Sequence, residues 1–422
     1  MDATKLLPPA REAAQRFPEI FQDAVDYASP PGVAWAPGRV NVIGEHTDYN
    51  NGFVLPLAVD RVTAFAGRAR HDQVVRLWSS HFQQQVQFSL QRLPDTFEQQ
   101  RIQLPDWARY VLGVASQLAG AGLALRGFDA VVSGDVPLGG GMSSSAALGV
   151  ASAQAFAHFS GGQWAIGSGA GEIAPMKIAE LCQHAEWIAS GVRVGILDQA
   201  ASCLGQAHKA VLIDCRSLEY RYIPFHAPDI SVVVIDTGVR RELASSGYNE
   251  RREQCEEATE RLRDLIGQHD PSAAEHIQSL RDIKPEQFAR YKDALPEILR
   301  KRAGYILAEN ERVLQVVRLL EANEIEKVGP ILWQGHAGLR DEYEVSSVEL
   351  DALVEIARQV PGVLGGRMMG GGFGGCTVNL VRNEAIDTLR RAVEEQYPAR
   401  SGRQASIDIC KAAAGPGQVW LE

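Results

Sequence analysis

Ala36-Pro37-Gly38-Arg39-Val40-Asn41-Val42-Ile43-Gly44-Glu45-His46-Thr47-Asp48-Tyr49 concentrates chemistry as no other stretch of this chain does. Between Arg39 and Asp48 stand an arginine, an asparagine, two carboxylates and a histidine. The apolar lead-in Val33-Ala34-Trp35 predicts a short strand that ends at a Pro37-Gly38 turn. Gly38 and Gly44 let the backbone approach a ligand without a Cβ in the way. The stretch is either a polar turn between strands or a binding site, and residue types alone do not choose.

Working outward, 422 residues are long for a single core and predict two domains, divided as 1–212 and 213–422. A hydrophobic content of 45% with 22% charged residues is that of a globular protein. The start, Met1-Asp2-Ala3-Thr4-Lys5, lacks the apolar core of a signal peptide, and no apolar run approaches the ~20 residues that span a bilayer, so no membrane partner is expected. Cys182, Cys203, Cys215, Cys255, Cys376 and Cys410 show neither a Cys-x-x-Cys pair nor zinc spacing and are read as reduced thiols of a cytoplasmic protein. A net charge of −10 argues against a nucleic-acid partner.

Helical periodicity over residues 11–27 predicts an N-terminal amphipathic helix. Residues 62–70, 74–79 and 84–90 alternate with period two and predict an antiparallel meander. Residues 106–118 predict a helix with Asp106 as its N-cap, 128–133 a strand, and 179–190 a helix ending at Gly191. Strands follow at 211–213 and 231–236, with the domain change between them. Helices at 248–266, 295–320, 348–359 and 384–395 and strands at 376–381 and 406–410 complete the pattern. Strands and helices mix without βαβ regularity, so the class is α+β.

Two further segments are glycine-rich. In Pro137-Leu138-Gly139-Gly140-Gly141-Met142-Ser143-Ser144-Ser145-Ala146-Ala147, a strand runs through glycines into a helix of small residues. Free N–H groups at such a helix start can cradle phosphate oxygens. A tight turn with a serine cap would account for Ser143 but less well for three glycines and three serines. No lysine follows the glycines, which excludes a Walker A loop. In Gly365-Gly366-Arg367-Met368-Met369-Gly370-Gly371-Gly372-Phe373-Gly374-Gly375-Cys376, the glycines run into a strand where a dinucleotide loop would open a helix. Here the backbone must pass close to something.

The first stretch resembles the galactokinase signature of the GHMP superfamily of small-molecule kinases, and the two glycine-rich segments resemble GHMP motifs in the same order and at similar spacing. The resemblance covers residues 30 to 410. It implies a two-domain α+β GHMP kinase fold, the first domain like domain 2 of ribosomal protein S5, with the active site in the cleft between domains. It implies ATP-dependent phosphorylation of D-galactose at the anomeric hydroxyl, giving α-D-galactose 1-phosphate and ADP, the first committed step of the Leloir pathway.

Residue by residue, the resemblance makes Asp198, in Gly195-Ile196-Leu197-Asp198-Gln199, the group facing the reacting hydroxyl, with Arg39 stabilising it. Glu45, His46, Thr47, Asp48, Gly195 and Tyr248 are the implied sugar contacts. Gly139, Gly140, Gly141, Met142, Ser143, Ser144 and Ser145, with Ser79, are the implied ATP contacts, and Ser145 and Glu186 the implied Mg²⁺ ligands. Trp107 is either an adenine-pocket wall or a core tryptophan. Leu197, Gly247 and Arg241 depart from the commoner family residues, so fine specificity is the least determined property. The alternatives are an N-acetylgalactosamine kinase and a non-catalytic galactose sensor; the uninterrupted Ser143–Ala147 run, with Arg39 and Asp198 present, disfavours the sensor. The residues do not set an oligomeric state, and a monomer is compatible with them.

Overall fold

In the computed structural model the first strand, β1 (Gly32–Ile43), runs straight through Pro37-Gly38 instead of turning there. Its pairing with β2 (Phe53–Ala69) shifts register between Pro37 and Arg39, so the dipeptide makes a bulge. The structure describes residues 3–22, 26–93, 95–169, 171–225, 227–239 and 244–422.

The remaining strands are β3 (Val74–Ser79), β4 (Gln84–Ser89), β5 (Phe128–Gly134), β6 (Lys209–Asp214), β7 (Tyr220–Pro224), β8 (Ile230–Asp236), β9 (Val363–Met369), β10 (Cys376–Arg382), β11 (Ser406–Cys410) and β12 (Gly417–Trp420). The helices of the first half are α1 (Pro8–Ile20), α2 (Phe97–Arg101), α3 (Asp106–Gly120), α4 (Ser144–Phe159), α5 (Pro175–Ser190) and α6 (Leu197–Leu204). Those of the second half are α7 (Ala244–Gly267), α8 (Pro271–Ala274), α9 (Pro285–Tyr291), α10 (Glu297–Glu321), α11 (Gly329–Asp341), α12 (Val348–Gln359) and α13 (Ile386–Ser401).

Two sheets form. One has the order β12-β1-β2-β5-β3-β4, with β6 joining β2 and β7 joining β6; the other is β11-β8-β10-β9. The chain passes from one to the other between β7 and β8, and the 212/213 division falls inside β6. Strand β12 then returns to pair with β1. In β8, Val232 and Val234 face a core shared with β1, β2 and α10, while Val233 and Ile235 face α12 and α13. Strand alternation thus buries the second sheet on both faces.

Three further sequence expectations are corrected here. The N-terminal helix is Pro8–Ile20, and Tyr27 instead bridges to Arg70 beside β2. The antiparallel meander forms only in its β3–β4 half: β5 lies between β2 and β3, antiparallel to the first and parallel to the second. Period-two alternation reveals faces, not neighbours. The neighbours are marked by charge, for buried Asp129 of β5 stands in register with Arg76 of β3 and pairs with it and with Arg70. Third, Asp106 is the first residue of α3, after Pro105, and pairs with Arg109 at 2.8 Å rather than capping.

Helix α11 leaves no room against β9. A Cβ on Gly329 would stand 1.8 Å from the Leu364 carbonyl oxygen, a backbone atom that cannot swing aside. We expect Gly329→Ala to cost about 1–3 kcal/mol or more, read as a lower melting temperature. An unchanged melt would mean that α11 and β9 are not so closely apposed.

Candidate active site

Past the bulge, alternation along β1 sends Val40 and Val42 into the core shared by the sheets and turns Arg39 and Asn41 to a cavity of about 590 Å³. That is the size range of small-ligand sites. Gly139, Gly141 and Ser143–Ser145 form one wall, Glu45, His46 and Asp48 another, and Gly195, Asp198 and Tyr248 a third. Thr47, Gly140 and Met142 are not part of it. Thr47 donates to the carbonyls of Gly44 and Phe53 at 2.8 and 2.7 Å, holding the turn. Met142 is buried in the core between the sheets, and only its carbonyl serves the site, accepting the Arg39 N–H at 3.1 Å.

Asp198 is the second residue of α6, where the helix N-terminus favours a carboxylate. Its Oδ1 accepts from Arg39 Nε at 2.7 Å and lies 2.6 Å from a second guanidinium nitrogen. Its Oδ2 accepts from Ser143, while Arg39 also donates to the Gly141 carbonyl. Ser143 is therefore not a helix cap. It precedes α4 with φ +57°, makes no cap bond, and aims its hydroxyl at Asp198.

Glu186 comes from α5, with Ser145 donating to Oε1 at 3.0 Å and Gln199 to Oε2 at 2.8 Å. Burial, then the Asp198 charge, pushes it up to about 7. The loop carrying Gly195 is pinned by Trp187 and Gln183, which donate to the Val194 carbonyl at 2.8 and 3.1 Å.

The signature turn is buried and strained. His46 has φ +64°, uncommon for a residue with a Cβ, and Asn50 fixes it by donating to its carbonyl at 2.9 Å. Its ring packs among Tyr49, Tyr248 and Tyr343, with Nδ1 2.7 Å from the Tyr49 hydroxyl. Burial, then Asp198, pushes Asp48 up to about 6. Burial and the carboxylates of Asp48 and Asp198 push Tyr248 upward as well.

A second cavity of about 440 Å³ shares Leu138, Ser144 and Ser145 with the first. Ser79, Phe82 and Trp107 line it; Phe82 stacks on Trp107 at 6.2 Å, and Ser79 accepts the Phe82 N–H at 3.3 Å. Trp107 is both cavity wall and core residue. The departure at Arg241 lies outside the described residues. Gly247 packs against Phe373, whose ring would stand 2.8 Å from a Cβ there.

Sequence reasoning missed Asn41, Tyr305, Glu309 and Arg367. Arg367 stands alone among apolar and glycine residues in a strand, and Glu309 falls on the apolar stripe of α10 between Ile306 and Val313. Both placements are signals of a paired buried charge.

Three family profiles match along the chain, namely the galactokinase galactose-binding signature over residues 16–69, the GHMP kinases N terminal domain over 109–206 and the GHMP kinases C terminal domain over 316–399. Their order on this two-domain α+β frame defines a GHMP kinase. A galactokinase from Chloroflexus aurantiacus is 43% identical over 391 residues, 93% of this chain and 94% of the relative. The crystal structure of Lactococcus lactis galactokinase complexed with galactose superposes with a TM-score of 0.84 at 33% identity, covering 97% of this chain and 98% of that one. The chain belongs to the galactokinase family. A mevalonate kinase from Methanococcus jannaschii shares the fold alone, with a TM-score of 0.60 at 16% identity over 92% of this chain and 99% of its own.

At Gly195 a Cβ would fall 1.7 Å from Asp48 Oδ2 and 2.1 Å from its Cγ. Gly195→Ala must displace the Asp48 carboxylate, and a misplacement near 1 Å can cost about 10²-fold in rate. We expect kcat/KM to fall at least that far while the melt changes little. Retained activity would show that Asp48 can move without consequence.

Proposed function

We propose that the chain transfers the γ-phosphoryl group of ATP to the anomeric hydroxyl of D-galactose, giving α-D-galactose 1-phosphate and ADP. The observation that carries the reading is Asp198, clasped by Arg39 and Ser143, facing one cavity with Glu45, His46 and Asp48. Phosphoryl transfer asks mainly for positioning and charge stabilisation. Asp198 orients the hydroxyl and accepts its proton, and Arg39 stabilises that carboxylate and the charge developing on the transferred group. Asp48, Glu45, His46 and Tyr248 hold the sugar, with Asp48 reading the C3 and C4 hydroxyls. The glycine and serine N–H groups of 139–145 hold the phosphates, and the second cavity takes the adenosine end.

Glu186 and Ser145 fit Mg²⁺. Theirs is an all-oxygen donor pair beside the glycine-serine loop, and the carboxylate is half-buried near Asp198 with only neutral side chains bonded to it. When bound, the ion would neutralise phosphate charge. The two sheets support two structural units that meet at the cavity, parted between β7 and β8, with β12 returned to the first. Both substrates enter a cavity built within one chain, so the reading needs no second copy. Six buried free cysteines, and no helix among the described residues long and apolar enough to cross a membrane, support a cytoplasmic site of action.

Two substitutions test the reading with galactose, ATP and Mg²⁺. General-base chemistry contributes about 10²–10⁴-fold, so Asp198→Ala should lose that much turnover while ATP affinity is kept. Turnover above about a tenth of wild type would defeat the role. Glucose turns its C4 hydroxyl away and leaves Asp48 short of a partner, an unmet bond costing about 1–3 kcal/mol. Asp48→Ala should therefore lower kcat/KM for galactose by at least ~10² and for glucose far less. Equal losses in a well-folded variant would mean that Asp48 does not read C4.

A further inference from the structure

Helix α10 of the second unit grips the signature turn at three points. The Tyr305 hydroxyl donates to the Glu45 carbonyl at 3.1 Å, Glu309 Oε1 accepts the Gly44 N–H at 2.9 Å, and Asn310 Oδ1 accepts the Phe53 N–H at 2.8 Å. Arg367 enters from β9 and joins the side chains. One guanidinium nitrogen lies 2.5 Å from Glu45 Oε2 and another 2.6 Å from Glu309 Oε1. Arg312 ends the ladder at 2.7 Å from Glu309 Oε2. Charges alternate along it, Arg367 and Glu309 have no solvent exposure, and Glu45 keeps 2%.

Stability does not explain the ladder, since well-packed apolar side chains usually serve a core as well or better than buried ion pairs. Of its four members, Glu45 alone lines the cavity. Resting on the function proposed above, we infer that Arg367 and Glu309 are positioning residues for sugar phosphorylation: from the second sheet and α10 they orient the Glu45 carboxylate at the cavity wall and set the charge it presents to the sugar.

The groups facing Glu45 are Arg367 from β9, Glu309 and Tyr305 from α10, and Arg39 and Asn41 from β1. Burial pushes Glu45 up to about 7, Arg367 pulls it down, and Glu309 pushes it up. Glu309 itself is raised by burial, but Arg367 and Arg312 outweigh this and hold it at about 2. Removing the Arg367 charge must then raise the Glu45 titration, and removing the Glu309 charge must lower it. Glu309→Gln keeps an oxygen for the Gly44 N–H and removes the charge, while its amide nitrogen gives up the bond to Arg312 on the side away from Glu45.

The test measures kcat/KM for galactose against pH in the full chain for wild type, Arg367→Met, Arg367→Lys and Glu309→Gln. In parallel, the Glu45 carboxylate is titrated by NMR in the sugar-free proteins with ¹³C-labelled glutamate. A neighbouring charge is worth about 1–3 pH units. We expect the acid limb of Arg367→Met to move up by about one unit, Arg367→Lys to restore most of it, and Glu309→Gln to move it down, with KM changing more than kcat. A structural role alone would lower all variants by a constant factor at every pH. Unmoved limbs, or shifts of the same sign in Arg367→Met and Glu309→Gln, would overturn the inference. Should Arg367→Met fail to fold, an unshifted Glu309→Gln decides against it alone. If wild type leaves galactose untouched, the function fails, and the carboxylate titration still decides the ladder.

Discussion

Arg39 can meet Asp198 only because β1 remains a strand through Pro37 and Gly38. Its twelve residues, paired with β2 except at two shifts of register, carry the chain from the core of the first sheet into the core between the sheets. The bulge at Gly38 realigns the pleat, so that Val40 and Val42 anchor the strand while Arg39 and Asn41 reach the cavity. A side chain at Gly38 would meet the Met142 carbonyl at 2.7 Å, and that carbonyl receives the Arg39 N–H. Strand and glycine-serine loop therefore hold each other in place. Asp198 and Glu186 are then set by two helices packed against α4, which that loop opens.

The cavity gathers more negative than positive charge. Glu45, Asp48 and Glu186 are all pushed upward, burial being the first cause in each, with Asp198 next for Asp48 and Glu186. Such crowding suits a site whose ligands supply hydroxyl donors on one side and a cation on the other. On the proposed function, phosphate oxygens would be met instead by backbone N–H groups at the start of α4 and by Arg39, the local features that a chain of net charge −10 has to rely on.

What could be read from the sequence was contiguous. Arg39, Glu45, His46 and Asp48 lie within ten residues, and the serines of 143–145 directly follow their glycines, so local pattern exposed them. The α+β class and the helix at Val348–Gln359 followed from periodicity in the same way. Partnership across the chain could not be read. Glu309 bonds Gly44 across 265 residues, and Asn41 donates its N–H to Met369 across 328. The insertion of β5 between β2 and β3 is equally nonlocal. Short α6 was missed because eight residues give periodicity too little length, although Asp198 at its start is where a helix would place an acid.

The glycines of the third cluster let the backbone pass unusually close to its neighbours. Gly365 would strike Gly329 at 2.4 Å, Gly372 the Val345 carbonyl at 2.1 Å, and Gly141, across from the cluster, the Cys376 sulfur at 2.3 Å. Each is a close approach that a Cβ would block, and each holds the second sheet against either α11, the loop that follows α11, or the glycine-serine loop. Arg367 lies on β9 just before this loop, so its reach to Glu45 is set by how closely β9, α11 and α10 pack. The close backbone passage therefore lets an arginine from one sheet hold a carboxylate that belongs to the other.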